Sequence, residues 1–233
     1  MSVEVEIVED PARACAAMLV GAAANGGHVV LTGGSTPRAA YGEFVRAAVA
    51  VDLDLHRTSF WFGDERCVAP EDERSNFRLA RESLLEPLGD GETPAVHRMR
   101  GELGPQEGAD DYEHQLLQAG SPAFDLLLLG MGPDGHVASL FPDQDTLSER
   151  ERLVVGVPHA GLEPWVARIS LTLTAIASAR RVAFLISGAG KADAVHAAFG
   201  PQAQPSPHVP ASLVAGVASE VTVLLDPAAA EQL

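Results

Sequence analysis

The sequence predicts an α/β fold: a Rossmann-like, doubly wound and mostly parallel sheet with helices on both faces and one or more antiparallel strands. Short apolar runs alternate with helical segments along the 233 residues, which is the pattern of βαβ units. Right-handed crossovers between such units give a parallel sheet that is covered on both faces. Because α/β domains often reach this length as one unit, we expect a single domain over residues 1–233.

Eight segments are predicted as strands because each is short, apolar and bounded by turn residues. In chain order they cover residues 3–9, 28–32, 58–64, 124–130, 152–158, 167–173, 181–188 and 220–226. In open parallel sheets, ligands bind beyond the carboxyl ends of the strands. Three motifs follow strands in this way: TGGSTPR after HVVL, GDER after SFWF, and GMGPDGH after LLLL.

Helices are predicted between these strands, the first of them from the start signal Asp10-Pro11. They cover residues 11–24, 37–49, 76–85, 108–119, 191–199 and 227–233. Two stretches rich in Gly and Pro, residues 87–108 and 201–210, are predicted as connecting loops.

The composition narrows the range of partners and compartments. The formal net charge is −16 and the pI is about 4.7, so the surface repels nucleic acid and anionic membranes, and neither is expected as a partner. No protein partner is predicted. The two cysteines have no metal or redox spacing, and the amino-terminal segment lacks the features of a signal peptide. We expect a cytoplasmic protein.

The spacing G-x-G-x-x-G occurs at Gly130, Gly132 and Gly135, directly after an apolar run. A dinucleotide-binding loop also needs a long helix after it and an acidic residue at the end of the next strand. Pro142 follows closely and leaves little room for a helix, and the segment LVVGVPHA provides no acid at its strand end. We therefore reject a dinucleotide site and expect no cofactor.

The loop of Gly33, Gly34, Ser35 and Thr36 is the best candidate for an anion site. The glycines allow a tight turn with exposed N–H groups, the hydroxyls offer donors and a helix cap, and Pro37 suits the first helical turn. An ordinary capped turn is the alternative interpretation.

Basic and acidic residues near other strand ends support a site for a charged ligand. Lys191 lies at a strand-to-helix turn, where anions bind. Arg168 lies at the start of its strand, so it reaches the same edge only if that strand runs antiparallel. A carboxylate pair and a guanidinium in or after GDER could hold sugar hydroxyls and an oxyanion, and the candidates are Asp64, Glu65, Arg66, Ser75 and Asn76. An acidic surface loop with internal ion pairs is the alternative interpretation.

His136 is the strongest candidate for a catalytic group. A free imidazole has a pKa of about 6.5, which suits a general base at neutral pH. Asp134 could orient the ring or bind substrate. The chain lacks the G-x-S-x-G, H-E-x-x-H and G-x-x-x-x-G-K-[ST] motifs, which argues against a serine hydrolase, a zinc enzyme and a P-loop protein. No metal is expected.

Four ordered motifs together resemble the 6-phosphogluconolactonase family. They are LTGGSTP, FWFGDER with a later SN, LLLLGMGPDGHVASLFP, and RISLTLTAI followed by FLISGAGK, and they span residues 31–191. The family is similar in fold to the glucosamine-6-phosphate deaminases, which share the turn before the histidine. In those enzymes a glutamate follows the histidine, whereas this chain has VASLFPD. The motif DER is also as in the lactonases, so both features favour the lactonases over the deaminases.

The resemblance implies hydrolysis of a phosphorylated sugar lactone without metal or covalent intermediate. Its phosphate would bind the Gly33–Thr36 loop with Lys191 and Arg168, and His136 would activate water. Arg66 or the N–H groups of the Gly132 turn would stabilise the oxyanion. Two alternatives stay open: an amino-sugar phosphate isomerase–deaminase, and a sugar-phosphate sensor without catalysis.

Overall fold

The computed structural model describes residues 2–89 and 93–233, which contain ten strands in two sheets. The strands are β1 (Ser2–Ile7), β2 (His28–Leu31), β3 (Ser59–Phe62), β4 (Asp64–Arg66), β5 (Ala95–Val96), β6 (Leu126–Leu129), β7 (Val154–Val157), β8 (Arg168–Leu171), β9 (Val182–Ile186) and β10 (Glu220–Leu225). Seven of them form a parallel sheet in the order β1-β10-β9-β6-β2-β3-β5. The other three form an antiparallel sheet in the order β4-β8-β7.

The helices connect the parallel strands. They are α1 (Pro11–Ala23), α2 (Ser35–Ala50), α3 (Asn76–Ala80), α4 (Glu86–Leu88), α5 (Pro105–Gln118), α6 (Leu173–Ala177), α7 (Ala192–Phe199) and α8 (Pro210–Val217). A π-helical turn, Arg81–Leu85, joins α3 to α4 into one continuous helical segment. Asp10 caps α1 by accepting the N–H of Arg13 at 3.0 Å, as the start signal predicts.

The order of the parallel strands places a topological switch point between β2 and β6. From β2 the chain proceeds outward through β3 to β5, and from β6 it proceeds in the other direction through β9 to β10. The loops after β2 and β6 therefore separate, which opens a crevice at the carboxyl edge of the sheet. The predicted fold class, including the antiparallel strands, is confirmed.

Central strands are buried at successive residues, whereas the first strand is not. Every residue of β6 and β9 is buried, so both faces of the sheet are covered there. All six residues of β1 are exposed at the sheet edge, where it pairs with β10 alone. None of the helices in residues 2–89 and 93–233 is long and apolar enough to cross a membrane.

The predicted strand 58–64 is wrong in one respect: the chain leaves the parallel sheet at Gly63. Gly63 N–H donates to the carbonyl of Leu31 in the parallel sheet at 2.9 Å. Its own carbonyl accepts from Leu171 N–H in the antiparallel sheet, also at 2.9 Å. Asp64–Arg66 then forms β4, so the motif GDER is itself a strand of the second sheet.

Three further expectations differ from the structure. The predicted helix 227–233 is a run of turns, in which the Asp226 side chain accepts the N–H of Ala229 and its carbonyl accepts the N–H of Ala230. Helices α6 and α8 were not predicted, since α6 is short and α8 directly follows the Pro-rich loop 201–210. The loop 87–108 contains β5 and a short 3₁₀ turn, and its residues 90–92 lie outside the described residues.

The two tyrosines of the chain fix the ends of the strands that lead to the crevice. Tyr41 Oη accepts the N–H of Thr32 at 2.9 Å and donates to its carbonyl at 2.7 Å. Tyr112 Oη does the same for Phe62, at 2.8 and 3.2 Å. Both rings are fully buried, and burial raises the pKa of both phenols, so each hydroxyl keeps its proton to donate.

We expect Tyr112→Phe to lower the free energy of unfolding by about 1–3 kcal/mol, because two buried backbone groups of Phe62 lose their partner while the ring volume is kept. Denaturant unfolding checks this, with the midpoint falling and the slope unchanged. An unchanged midpoint would show that the hydroxyl is not needed at the end of β3.

Candidate active site

A cavity of about 230 Å³ lies at the carboxyl edge of the parallel sheet, between the loops after β2 and β6. Strands β4 and β8 of the second sheet close its other side. Nine of the predicted site residues line it: Gly33, Gly34, Asp64, Arg66, Asn76, Gly132, His136, Arg168 and Lys191. Asp134 contacts His136 from behind, and Ser35 and Thr36 are not among the lining residues.

The glycine loop after β2 forms one wall of the cavity. Gly34 has a φ of 118°, a conformation that favours glycine. A Cβ on Gly33 would overlap the side-chain amide of Asn76, so the two walls touch there. The cap predicted for Ser35 and Thr36 is wrong: they are the first two residues of α2, Gly34 is the cap residue, and no side chain caps the helix.

Three cationic side chains, Arg66, Arg168 and Lys191, meet at the cavity. Within the described ranges none of them forms an ion pair with an Asp or Glu. Lys191 is the only lysine among the 16 Lys and Arg residues of the sequence. Together the three cations offer an anion several charged donors, beside the carboxylates of Asp64 and Glu163 that also line the cavity.

Arg168 reaches the cavity because β8 runs antiparallel to β4 and β7. The side chain is nearly fully buried, and it donates to the carbonyls of Val166 at 3.1 Å and Pro164 at 2.9 Å. Burial lowers the pKa of Arg168, and the nearby charge of Asp64 opposes this. The guanidinium stays charged at neutral pH and holds the segment that carries Leu162 and Glu163 against the cavity.

The other two cations are held differently. Arg66 Nη1 donates to the carbonyl of Arg74 at 2.6 Å, while its Nε is buried and has no partner among the described residues. Burial lowers the pKa of Lys191, and the charge of Asp134 opposes this. Both groups therefore keep donors available for a bound ligand.

Asp64 is a buried carboxylate at the cavity wall. Its Oδ1 accepts from Asn76 Nδ2 at 3.0 Å, and its Oδ2 accepts from the hydroxyl of Ser139 at 2.6 Å. Asn76 Nδ2 also donates to the backbone carbonyl of Asp64 at 2.9 Å. This leaves Asn76 Oδ1 buried and without a partner in the described residues, at the contact of Asn76 with Gly33 where the two walls touch.

Glu65 holds this wall together and does not line the cavity, although the sequence predicts it as one of a carboxylate pair for sugar hydroxyls. Its buried carboxylate accepts the N–H groups of Arg66 and Asn76 at 2.7 Å and of Phe77 at 2.8 Å, and the hydroxyl of Ser75 at 2.9 Å. Burial raises the pKa of Glu65 and these bonds oppose it. The sequence signal was available: SN begins a helix, and the acid of DER can bind its first turn.

His136 is paired with Asp134 on the opposite wall. Asp134 Oδ1 accepts from His136 Nδ1 at 2.6 Å and from its backbone N–H at 3.2 Å. Burial opposes ionisation of Asp134, but its bonds with His136 outweigh this and lower its pKa. An ionised carboxylate only accepts, so Nδ1 carries the proton and Nε2 is left as the basic nitrogen.

The turn that carries His136 is braced from both sides. Gly132 N–H donates to the carbonyl of His136 at 2.9 Å, and a Cβ on Gly132 would overlap the His136 ring and the Asp134 carboxylate. Gly135 has a φ of 79° and accepts from Ala211 N–H at 2.9 Å. The Pro-rich loop and α8 thus support the turn. No long helix follows it, which agrees with the rejected dinucleotide fingerprint.

Four other surface pockets formed by the described residues do not combine a histidine with cations that lack an ion-pair partner. One of them, of about 890 Å³, lies at the amino edge of the parallel sheet. Its charged side chains are already paired, Arg180 with Asp125 and Arg181 with Glu220. Across residues 2–89 and 93–233, no group of three or more His, Cys, Asp or Glu side chains could hold a metal ion.

Comparisons with known proteins agree with the resemblance. A sequence profile described as glucosamine-6-phosphate isomerases/6-phosphogluconolactonase matches residues 4–223. The 6-phosphogluconolactonase of Mycobacterium leprae is 38% identical over 213 residues, which are 87% of this chain and 84% of that protein. That of Streptomyces coelicolor is 38% identical over 219 residues, 88% of this chain and 81% of that protein.

Solved structures share the fold over the whole chain. The 6-phosphogluconolactonase of Leishmania guyanensis has a TM-score of 0.83 at 29% identity, covering 100% of this chain and 99% of that one. A monomeric glucosamine-6-phosphate deaminase has a TM-score of 0.86 at 20% identity, covering 100% of both chains, and identity that low shows the fold alone. Profile, relatives and fold agree: the chain belongs to the glucosamine-6-phosphate isomerase/6-phosphogluconolactonase family.

Proposed function

We propose that this protein hydrolyses 6-phospho-D-glucono-1,5-lactone to 6-phosphogluconate, a reaction of the pentose phosphate pathway, by metal-independent general-base activation of water. One observation carries the proposal: a histidine held by a carboxylate and three unpaired cations open into the same cavity. The His136–Asp134 pair can activate water for hydrolysis of an ester, and the three cations can bind the phosphate of a phosphorylated substrate. The lactonase names of the relatives support the same substrate.

The phosphate is bound by Lys191 and Arg168, with the Gly33–Gly34 turn and the amino end of α2 beside them. Binding of this remote group fixes the position of the lactone ring, so that its carbonyl faces the His136 turn. The ring hydroxyls are then held by Asp64 and Asn76, which both line the cavity.

His136 acts as the general base. Asp134 holds the ring in the tautomer with the proton on Nδ1, so Nε2 takes a proton from a water molecule. The water oxygen forms a bond to the lactone carbonyl carbon, and the carbonyl oxygen becomes an oxyanion. When the oxyanion collapses, the bond to the ring oxygen breaks and His136 returns the proton to that oxygen. Water is added overall and no covalent enzyme intermediate forms.

Arg66 is the better candidate for the oxyanion donor. The N–H groups of Gly132 and Gly135 are already used within the turn, by His136 and Gly132 carbonyls. Arg66 lines the cavity, and in the described part of the chain its side chain has one bond, from Nη1 to the carbonyl of Arg74, so Nη2 can donate to the developing charge without breaking a bond.

We expect His136→Asn to lower kcat/KM for the lactone by about 10²–10⁴-fold, the usual contribution of a general base. Hydrolysis by the purified protein is followed above the spontaneous background, with and without EDTA. His208→Asn is the matched control, because His208 also pairs with an aspartate, Asp143, at 2.7 Å, but both are exposed and outside the cavity.

EDTA-insensitive turnover that is lost in His136→Asn and kept in His208→Asn supports the proposal. No turnover above background contradicts the lactonase assignment. Ammonia release from glucosamine 6-phosphate would then indicate the deaminase alternative, and binding of sugar phosphates without turnover would indicate a sensor.

The single lysine allows a direct test of the phosphate site. Reductive ¹³C-methylation labels lysine side chains and the α-amino group, so Lys191 gives the single side-chain methyl signal in an NMR spectrum. Because burial lowers the pKa of Lys191, we expect this signal to titrate at lower pH than a free lysine, for which the pKa is about 10.4. A bound phosphate stabilises the ammonium form, so inorganic phosphate should raise the titration midpoint. A midpoint unaffected by phosphate would place the anion elsewhere.

A further inference from the structure

Ser139 lies three residues after His136, yet its side chain bonds to the other wall of the cavity. The residue has no exposed surface. Its hydroxyl donates to Asp64 Oδ2 at 2.6 Å, and its N–H donates to the hydroxyl of Ser170 at 3.1 Å. Asp64 and Ser170 are themselves paired across β4 and β8. Ser139 thus joins the histidine turn to the second sheet.

The backbone around Ser139 is shaped for this contact. Ala138 has a φ of 49°, in the left-handed region that non-glycine residues rarely occupy. Val137 and Leu140 form an isolated antiparallel bridge, with Leu140 N–H donating to Val137 at 2.8 Å. This tight turn places Ala138 at the cavity wall and Ser139 behind it. Such a conformation persists where the surroundings over-determine it, often at functional sites.

The bond from Ser139 determines which way the Asp64 carboxylate faces. One oxygen is held by Ser139 and the other by Asn76, and Asp64 forms no ion pair with Arg66 or Arg168 in the described residues. Each carboxylate oxygen can accept about two hydrogen bonds. With one acceptor position used on each oxygen, the carboxylate keeps further capacity for hydroxyl groups in the cavity that it lines.

We propose that Ser139 is a positioning residue: its hydroxyl holds the Asp64 carboxylate toward the sugar hydroxyls of the substrate and away from the arginines that serve the anion. This inference rests on the proposed function, since it assigns the hydroxyl-binding part of the same site. It predicts that loss of the Ser139 hydroxyl impairs recognition of the sugar while leaving recognition of phosphate largely intact.

Binding measurements test this without turnover. Isothermal calorimetry compares 6-phosphogluconate, which carries the sugar hydroxyls, with inorganic phosphate. We expect Ser139→Ala to lower the affinity for 6-phosphogluconate by about tenfold, because a sugar hydroxyl loses its hydrogen bond to the displaced Asp64 carboxylate. The affinity for phosphate should change by less than about twofold. In the hydrolysis assay KM should rise more than kcat falls.

Ser170→Ala is the matched control. It removes a buried hydroxyl from the same network, but this hydroxyl forms no hydrogen bond with Asp64 in the described residues. It should retain discrimination between the two ligands. In an Asp64→Ala background, Ser139→Ala should cause little further loss. If Ser139→Ala unfolds, Ser139→Cys keeps the volume with a weak donor and should show the same selective loss.

Equal weakening of both ligands, or the same effect in Ser139→Ala and Ser170→Ala, would overturn the inference, as would wild-type protein that binds both ligands equally. These outcomes are separate from failure of the proposed function, which is absence of lactone hydrolysis by the wild type.

Discussion

Gly63 hydrogen-bonds to both sheets, and the site depends on this junction. Its N–H completes the parallel sheet at Leu31, and its carbonyl begins the antiparallel sheet at Leu171. The chain therefore changes sheets within one residue, directly at the edge where the loops after β2 and β6 separate. Without that change Arg168 would lie on a strand unrelated to the crevice. The cavity is the space between the two sheets, which meet at Gly63.

Neutral donors satisfy the carboxylates around the cavity, and this leaves the cations unpaired. Glu65 accepts three backbone N–H groups and one hydroxyl, and Asp64 accepts an amide and a hydroxyl. Asp134 accepts only from His136. In a chain with twice as many acidic as basic residues, an arginine near a carboxylate would ordinarily form an ion pair. Here Arg66 and Arg168 instead donate to backbone carbonyls.

Much of this arrangement could be predicted from sequence because strand periodicity and strand-end motifs are local signals. His136 and Lys191 lie at the carboxyl edge of the sheet, as the rule for strand-end motifs predicts. For Arg168 the sequence leaves two possibilities, and the antiparallel direction of β8 is the one that brings it to the cavity. Contacts between distant segments could not be predicted. The bond between Ser139 and Asp64 spans 75 residues, and the burial of Glu65 depends on a helix that begins eleven residues later. The roles of the site residues stay predictions.

The position of β1 has a consequence during synthesis. Within the described ranges this strand pairs with β10 alone, and β10 (Glu220–Leu225) is synthesised long after β1 (Ser2–Ile7), so β1 stays unpaired while the strands between them are made. Such non-local pairing is slow, and an unpaired strand invites aggregation. The alternation of Glu4 and Glu6 with Val3, Val5 and Ile7 keeps charge on every second residue of the waiting segment, which is how gatekeeper residues protect an exposed β-strand from misassociation.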